Sequence, residues 1–432
     1  MRTIKINKHK LSEKPMRNIL GMNNLPKIND KGVFDLISER YTKLNLNHIR
    51  FHDAPLDNPG FNLVDISRIF PLFHVDESDE QNYCFEQTDD YMRFIENSSA
   101  EVDFRLGETI DHSGYYRLVK APEDPDKWAR VCRNIIGHYK NGEMHGMHLN
   151  ITRVSVWEEP DNPKLFGGTT EEYVDLFCKT YKLLKRDFPD LKVGGPCSAG
   201  KPEFVDKFIT LCKEQGVTPD FTSNTMYPRS THFALKTLDR YNEVRKKHGL
   251  ENTEHVLTEW HYGPTSWSRC LYDEHGFYTT EAAAFSADLL IALMDTDYLS
   301  VAYYYSWATG LWSPYATDVG GFPLFPSYYA LLFFQMLATE CERLEVKADV
   351  PSGVHALAGR TSDGKHRVLL SCHVCEDEIF RIEGTEASEA TLKCINMDFN
   401  EEDCTVGKTV YAKDGAFEIA HTSQHAVYLL EF

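Results

Sequence analysis

The sequence lacks an apolar run long enough to cross a membrane, and it lacks an excess of positive charge. Its longest apolar stretches, such as Tyr328 to Leu337, fall short of the roughly 20 residues that a spanning helix needs. The formal net charge of -19 would repel nucleic acids and anionic membranes, so neither is expected as a partner. No predicted helix opens with the glycine-rich motifs GxGxxG or GxxxxGKS/T, so we expect no nucleotide cofactor.

Cysteine is present but is not arranged as a disulfide framework. The eleven cysteines are an odd number without a repeating spacing, which is typical of a reducing compartment. Met1 to Asn7 alternates like a strand and contains no apolar signal-peptide core, so we expect a cytoplasmic protein. Cys372 and Cys375 have a metal-like spacing, but no second pair of ligands matches them. The sequence therefore predicts free thiols and neither a metal nor another cofactor.

Short apolar runs alternate with longer helical segments over residues 15–337, a pattern typical of βα units. One helix is predicted to begin at a capping box, Thr169 to Glu172, and another is the alanine-rich segment Thr280 to Leu293. The strand candidates match the number that a (β/α)8 TIM barrel requires. They are Arg17–Gly21, Asn47–Phe51, Val102–Leu106, Thr152–Val156, Leu191–Gly194, Phe221–Ser223, His255–Thr258 and Ser300–Tyr305.

The pattern changes after residue 337 to short alternating runs. Asp363-Gly364 and Asp414-Gly415 stand between pairs of runs, and such dipeptides permit positive φ at both positions of a tight hairpin. Residues 338–432 therefore predict a C-terminal antiparallel β-sandwich accessory domain, joined by a strand within residues 1–14. The predicted fold class is α/β. The predicted sandwich strands are Gly353–Ala358, Arg367–Val374, Phe380–Glu383, Ala390–Ile395, Thr409–Ala412, Ala416–Ile419 and Ala426–Leu430.

Two glutamates carry the strongest chemical signal. Glu159 and Glu259 each lie where a β-branched or apolar run ends, and each has a Trp close by. An isolated Glu at a strand end is ordinarily a solvated charge. A pair placed in this way suits cleavage of a glycosidic bond, in which one carboxyl donates a proton and another attacks the sugar or activates water.

Other polar and aromatic residues follow the predicted barrel strands, whose carboxyl ends meet at one mouth. Polar side chains there could bond sugar hydroxyls and indole rings could stack on a sugar face, although a structural role is as plausible for any single residue. A metal held by His52, Asp53 and His112 is an alternative that their spacing does not establish. The candidates for substrate binding are His52, Glu108, His112, Trp157, Glu158, Tyr227, Trp260, Trp307 and Trp312.

The order and spacing of several segments resemble glycoside hydrolase family 39, the β-xylosidases and α-L-iduronidases of the clan A barrels. Trp157-Glu-Glu-Pro-Asp161 resembles the fourth-strand motif Trp-Asn-Glu-Pro-Asn, and Thr258-Glu-Trp260 resembles the strand that carries the nucleophile. The resemblance spans about Arg17 to Leu337 and includes Ile49–His52, Leu191–Pro196 and Asp220–Ser223. It implies a retaining hydrolase of carbohydrate substrates, with Glu159 as acid/base and Glu259 as nucleophile.

Two positions depart from the family pattern. Glu158 stands in place of the Asn that precedes the acid/base, and Thr225 stands in place of the His two residues before the sixth-strand Tyr. The extra carboxylate beside Glu159 either raises its pKa by like-charge repulsion or points away and bonds another group. Both changes fall where the reacting sugar is held, so the identity of the sugar stays open.

Two further hypotheses remain open. A degenerate barrel could bind glycans without cleaving them, as the substitutions at Glu158 and Thr225 suggest. An inverting hydrolase of the same fold would hold its two carboxyls about 6.5–9.5 Å apart, whereas retention needs about 5–5.5 Å. The sequence is compatible with a homo-oligomer and does not set the oligomeric state.

Overall fold

A closed barrel of parallel strands, joined in sequence order, forms the larger part of the protein. The computed structural model describes residues 1–26, 38–54, 62–110, 119–263, 276–307, 312–315 and 323–432. Strand β1 (Arg2–Leu11) precedes the barrel and does not belong to it. Each predicted barrel strand overlaps an observed one, although the first begins three residues later than predicted. The observed strands are β2 (Leu20–Asn23), β3 (His48–Phe51), β4 (Glu101–Leu106), β5 (Ile151–Val156), β6 (Lys192–Ser198), β7 (Phe221–Met226), β8 (Glu254–Trp260) and β9 (Leu299–Tyr304).

Helices follow the barrel strands along the chain, and one small helix connects two strands of the second sheet. No helix within the described ranges is both long and apolar enough to cross a membrane. The helices are α1 (Ser38–Lys43), α2 (Ile66–Ile69), α3 (Glu86–Met92), α4 (Pro125–Asn141), α5 (Thr170–Asp187), α6 (Pro202–Glu214), α7 (Thr231–Lys247), α8 (Thr280–Leu293), α9 (Pro326–Glu340) and α10 (Glu401–Thr405).

Helix α5 shows how the sequence fixes a helix start. The hydroxyl of Thr169 accepts from the backbone N–H of Glu172 at 3.2 Å, and the Glu172 carboxylate accepts from the backbone N–H of Thr169 at 2.7 Å. The predicted capping box is thus confirmed, and it satisfies two N–H groups that a helix start leaves unpaired. Tyr173, Phe177 and Leu184 follow at helical spacing and are fully buried.

Helix α8 is apolar on all sides because it lies between the barrel and the second sheet. It contacts α7 and α9 on the barrel and strands of the second sheet on its other side. Its one buried carboxylate, Asp288, accepts from the Ser371 hydroxyl at 3.0 Å and pairs with His355 Nδ1 at 2.6 Å. A helix buried on both faces needs no polar stripe, which explains its alanine-rich composition.

The second sheet has nine strands, in the order β15-β14-β17-β12-β11-β10-β1-β13-β16. It is antiparallel except that β1 runs parallel to β13. Ile4 of β1 packs in one core with Leu370 and Phe380 from distant parts of the sheet, so the sheet folds over on itself. Its C-terminal strands are β10 (Cys341–Ala348), β11 (Val354–Thr361), β12 (His366–Cys372), β13 (Glu378–Glu383), β14 (Glu389–Ile395), β15 (Lys408–Tyr411), β16 (Phe417–His421) and β17 (Ala426–Glu431).

Two details of this sheet differ from the sequence prediction. Strand β10 was not predicted, because its only fully buried side chain is Leu344 and charged residues surround it. The second difference concerns one of the two predicted tight turns. The Asp414-Gly415 turn agrees with the prediction, because both residues have positive φ, of 51° and 73°, as a tight hairpin requires. In the other turn only Gly364 has positive φ, because the turn is longer and closes with the Thr361 N–H donating to the Lys365 carbonyl at 2.9 Å.

Candidate active site

A cavity of about 960 Å³ opens at the carboxyl ends of the barrel strands. Residues at or just beyond the carboxyl ends of β3, β5, β7, β8 and β9 contribute to its wall, although they are far apart in sequence. Glu159 and Glu259 therefore face one space, as their positions after two barrel strands predict. The polar and aromatic side chains of the wall include His52, Asp53, Glu158, Glu159, Asn162, Thr225, Tyr227, Arg240, Glu259, Tyr305 and Trp312.

Glu159 lies in a strained turn directly after β5. Its φ of 38° falls in the left-handed region that residues other than glycine rarely adopt. Its carboxyl accepts from the Thr225 hydroxyl at 2.7 Å and from the Asn162 amide at 3.0 Å. Burial, followed by the charge of Glu259, raises the pKa of Glu159 to about 7, although the two hydrogen bonds oppose the rise. The side chain is thus able to hold or release a proton near neutral pH.

Glu259, near the end of β8, is surrounded by groups that favour a carboxylate. Its Oε2 accepts a hydrogen bond from the Tyr227 hydroxyl, and the guanidinium of Arg50 lies 3.8 Å from Oε1. His52 Nε2 lies 2.9 Å from the same Oε1, although its N–H is not aligned for a hydrogen bond. Burial raises the pKa of Glu259, and Arg50, Tyr227 and Arg105 oppose that rise.

The protonation of His52 follows from its neighbours. Arg105 Nε donates to His52 Nδ1 at 3.1 Å, so Nδ1 is an acceptor and the ring proton belongs on Nε2, facing Glu259. Burial lowers the pKa of His52 well below its ordinary value, so the ring is neutral. Arg105 is itself fixed by Asp65, whose Oδ1 accepts from Nη2 at 2.7 Å. A chain of contacts thus runs from Asp65 through Arg105 and His52 to Glu259.

Glu158 is paired with Arg50 rather than standing free beside Glu159. Both side chains are fully buried, and Arg50 Nη2 donates to Glu158 Oε2. Burial raises the pKa of Glu158 well above its ordinary value, and the Arg50 charge opposes this. The charges that raise the pKa of Glu159 belong to Glu259 and Asp161. Glu158 thus bonds another group, Arg50, and the charge of Glu159 still repels it and raises the pKa of Glu158.

Thr225 replaces a histidine of the resembled family and bonds the acid/base candidate directly. It lies on β7 beside Glu259 in the register of β8, with its hydroxyl turned across the cavity to Glu159. A hydroxyl carries no charge at any ordinary pH, so this position contributes one hydrogen bond to Glu159 but no titratable group.

The remaining predicted site residues fall into four groups. Tyr227 and Trp312 line the cavity with their rings 5.1 Å apart. Glu108 is buried near the barrel mouth, outside the cavity wall. Its carboxylate accepts hydrogen bonds from the hydroxyl and the backbone N–H of Ser67. Burial, followed by the charge of Asp65, raises the pKa of Glu108 to about 8. His112 lies outside the described residues. Three tryptophans, Trp157, Trp260 and Trp307, are buried away from the cavity wall and pack on aromatic rings of the barrel core.

Sequence reasoning did not assign roles to Arg105, Asp65 or Asn162. The available signal was charge at buried strand positions, as at Asp103 and Arg105, which alternate with apolar residues in β4. Buried charges are rare unless they are paired, so a charge in such a strand indicates a partner nearby. The partner itself comes from another strand or loop, and the sequence does not identify it.

One set of potential metal ligands lies within this site. Donor atoms of His52, Glu158 and Glu259 lie within 4.8 Å of one another. The guanidinium of Arg50 already bonds Glu158 and lies 3.8 Å from Glu259, so it supplies the positive charge that a cation would bring. The alternative site of His52, Asp53 and His112 involves a residue outside the described ranges.

Comparison with known proteins identifies the family. The sequence model of glycosyl hydrolases family 39 matches residues 17–263, more than half of the chain. The protein belongs to glycosyl hydrolases family 39. A beta-xylosidase of Caldicellulosiruptor saccharolyticus is 24% identical over 233 residues, which are 45% of this chain and 46% of that enzyme. A beta-xylosidase of Geobacillus stearothermophilus is 30% identical over 146 residues, 33% of this chain and 28% of that one.

A solved structure supports the fold of this family 39 protein over its whole length. A glucosidase from Croceicoccus marinus superposes with a TM-score of 0.82 at 19% sequence identity, covering 100% of this chain and 98% of that one. At 19% identity this similarity shows that the two proteins share the fold of the barrel and the second sheet, and it does not indicate the substrate. The aligned parts of the two beta-xylosidases span less than half of those enzymes.

Proposed function

We propose that this family 39 protein is a retaining glycosidase that cleaves β-xylosides or closely related glycosides. Glu159 is the general acid/base and Glu259 is the nucleophile. The observation that carries the proposal is the contrast between two carboxyls in one cavity. Burial raises the pKa of both carboxyls, that of Glu159 to about 7, but at Glu259 a guanidinium and a phenol oppose the rise and favour the carboxylate. The two relatives named beta-xylosidase suggest the sugar class.

In the first step, the Glu259 carboxylate attacks the anomeric carbon while the glycosidic bond breaks. The leaving oxygen takes the proton of Glu159, so the products are a covalent glycosyl-enzyme and a free alcohol. A pKa of about 7 keeps a substantial fraction of Glu159 protonated at neutral pH for this role. The Tyr227 hydroxyl holds the attacking carboxylate in place through its hydrogen bond, and His52 Nε2 lies beside it.

In the second step, water replaces Glu259 at the anomeric carbon. Glu159, now a carboxylate, takes a proton from the water as its oxygen attacks, and Glu259 leaves as a carboxylate. Esterification removes the negative charge of Glu259, which is one cause of the raised pKa of Glu159. The pKa of Glu159 therefore falls when the residue must act as a base. The sugar is released with its original anomeric configuration.

The aromatic part of the cavity is the proposed binding face for the sugar ring. Tyr227 and Trp312 lie on the side where β7 and β9 end, and the wall also contains Tyr305. Their rings give a sugar an apolar face to stack on, and the neighbouring carboxyls accept hydrogen bonds from hydroxyls. Within this proposal the partner is a carbohydrate, and a cytoplasmic location and a homo-oligomer stay predictions.

The test compares Glu159→Gln and Glu259→Gln with the wild-type protein on methyl β-xyloside, β-glucoside and α-arabinofuranoside, whose alkoxide leaving groups need the proton of the general acid. Each variant should lose at least about 100-fold in kcat/KM, since general acid–base catalysis alone contributes about 10²–10⁴-fold. The matched control is Glu254→Gln, at the opposite end of the same strand β8, where Glu254 bonds Arg153 and Lys192. Full activity of either active-site variant, or equal loss in the control, would refute the assignment.

The stereochemistry requires a separate experiment. Proton NMR during hydrolysis of the best β-glycoside should show the β-sugar as the first product, because two inversions give net retention. An α-sugar as the first product would instead establish an inverting enzyme. Azide should rescue Glu159→Ala as a β-glycosyl azide and Glu259→Ala as an α-glycosyl azide. A protein that binds these glycosides but hydrolyses none of them would be the degenerate barrel.

A further inference from the structure

We propose that the second sheet contains a zinc site formed by Cys372, Cys375 and His421. The ligand atoms of these residues, two sulfurs and one imidazole nitrogen, all lie within 4.8 Å of one another. Each of the three residues is buried, with at most 6% of its surface exposed. None of the three residues lines the cavity that contains Glu159, and the site does not depend on the proposed hydrolase activity.

The donor set fits a thiophilic, tetrahedral ion. Zn²⁺ binds cysteine sulfur at about 2.3 Å and histidine nitrogen at about 2.0–2.1 Å, which puts neighbouring donors roughly 3.5–3.8 Å apart. The observed upper limit of 4.8 Å therefore requires the donors to approach by only roughly 1 Å. Thiolate and imidazole ligands favour Zn²⁺ over Mg²⁺ or Ca²⁺, which prefer oxygen. Binding releases the two thiol protons to solvent.

The orientation of His421 is an independent observation that points to a ligand. Its Nδ1 lies 3.0 Å from the Tyr428 hydroxyl, which fixes the ring, while Nε2 is buried without a hydrogen-bond partner among the described residues. The ring also interacts with the backbone of Cys375. Metal-binding histidines are typically held in this way, through a hydrogen bond at the ring nitrogen that does not bind the metal.

The topology gives such an ion a mechanical role. Cys372 is the last residue of β12 and His421 is the last residue of β16. These strands are not neighbours, since β11, β10, β1 and β13 lie between them in the sheet. The ion would therefore connect two distant strands of the folded sheet, as a disulfide does, and stabilise its closure.

A cleft beside Cys375 gives the ion access to solvent. Its volume is about 840 Å³, and its wall includes Arg2, Glu376 and Asp377. Glu376 and Asp377 are exposed at this cleft, so they add negative charge where a cation enters. Three protein ligands leave one tetrahedral position, which a water from the cleft would occupy.

The test uses the full chain, purified under reducing conditions, freed of metal with a chelator and then titrated with Zn²⁺. We expect about one tightly bound Zn²⁺ per chain. Co²⁺ in place of Zn²⁺ should give visible bands of tetrahedral coordination and a thiolate charge-transfer band. These measurements need no variant, so they do not depend on any variant folding. Absence of both the uptake and the thiolate band in the folded wild-type protein would overturn the proposal.

Variants then separate this site from other thiols. Cys372→Ser with His421→Ala should abolish zinc uptake, and Tyr428→Phe should weaken it by about 10–100-fold while leaving the three ligands in place. The control is Cys394→Ser with Cys404→Ser, a second buried thiol pair of the same sheet in which Cys404 donates to the Cys394 carbonyl at 3.3 Å. Equal loss in the control, or a Cys372–Cys375 disulfide that persists under reducing conditions, would contradict the site.

Discussion

We expect the hydrogen bond from Thr225 to Glu159 to set the pH at which activity declines on the alkaline side. Thr225 Oγ1 donates to Glu159 Oε1 at 2.7 Å and lowers a pKa that burial and the charge of Glu259 have raised to about 7. Thr225→Val keeps the shape of the side chain and removes the hydroxyl. A lost donor destabilises the carboxylate more than the neutral acid, so the pKa of Glu159 should rise further.

The size of the shift follows from the energies of the two hydrogen bonds. A bond to a charged group contributes about 1.5–3 kcal/mol, and one between neutral groups contributes about 0.5–1.5 kcal/mol. Their difference of about 1–1.5 kcal/mol corresponds to about one pKa unit, since each unit is worth about 1.36 kcal/mol. The pKa of Glu159 should thus be about 8 in Thr225→Val, compared with about 7 in the wild-type protein.

The assay is the pH profile of kcat/KM, whose limbs report the pKa values of the free enzyme. Glu159 must be protonated when the leaving group departs, so activity falls as the pH rises through its pKa. A raised pKa therefore moves the alkaline limb to higher pH. The control is Thr237→Val, in the wall of the same cavity, where the hydroxyl donates to the Phe233 carbonyl at 2.9 Å. An alkaline limb that stays in place in Thr225→Val, or moves to lower pH, would refute the reasoning.

Three further predictions concern stability. Glu159→Gln should raise the free energy of unfolding above pH 7 by up to about 3 kcal/mol and change it little below pH 4.5. The reason is that the wild-type protein loses stability as the pH rises through the elevated folded-state pKa of Glu159. Urea titrations, one above pH 7 and one below pH 4.5, measure the free energy of unfolding of both proteins. Arg50→Met should cost about 3–5 kcal/mol, because it leaves the buried Glu158 unpaired, and Arg50→Met with Glu158→Met should recover part of the loss. Thermal denaturation would contradict this if the double variant were no more stable than the single one. Thr169→Ala should cost about 1 kcal/mol through the lost cap of α5, and Thr170→Ala, one residue into the helix, should cost less.

Most of the fold could be predicted because its signals are local. The apolar strand runs, the capping box at Thr169 and the Asp414-Gly415 turn each depend on a few neighbouring residues. Strand β10 was missed because most of its side chains are charged or partly exposed, so no apolar alternation marks it. It forms because β1 pairs with one of its edges and β11 with the other, and the pairing with β1 spans more than 300 residues and leaves no local pattern.

The sequence by itself determined which carboxyls could carry the chemistry, since Glu159 and Glu259 each follow a recognisable strand and motif. Only the tertiary structure decided their electrostatic surroundings, because burial and the partners Arg50, His52 and Thr225 come from separate strands. It also brought His421 to Cys372 and Cys375, a cluster that the spacing of two cysteines did not reveal. A pKa or a set of metal ligands depends on distances in space, which strands far apart in the chain define together.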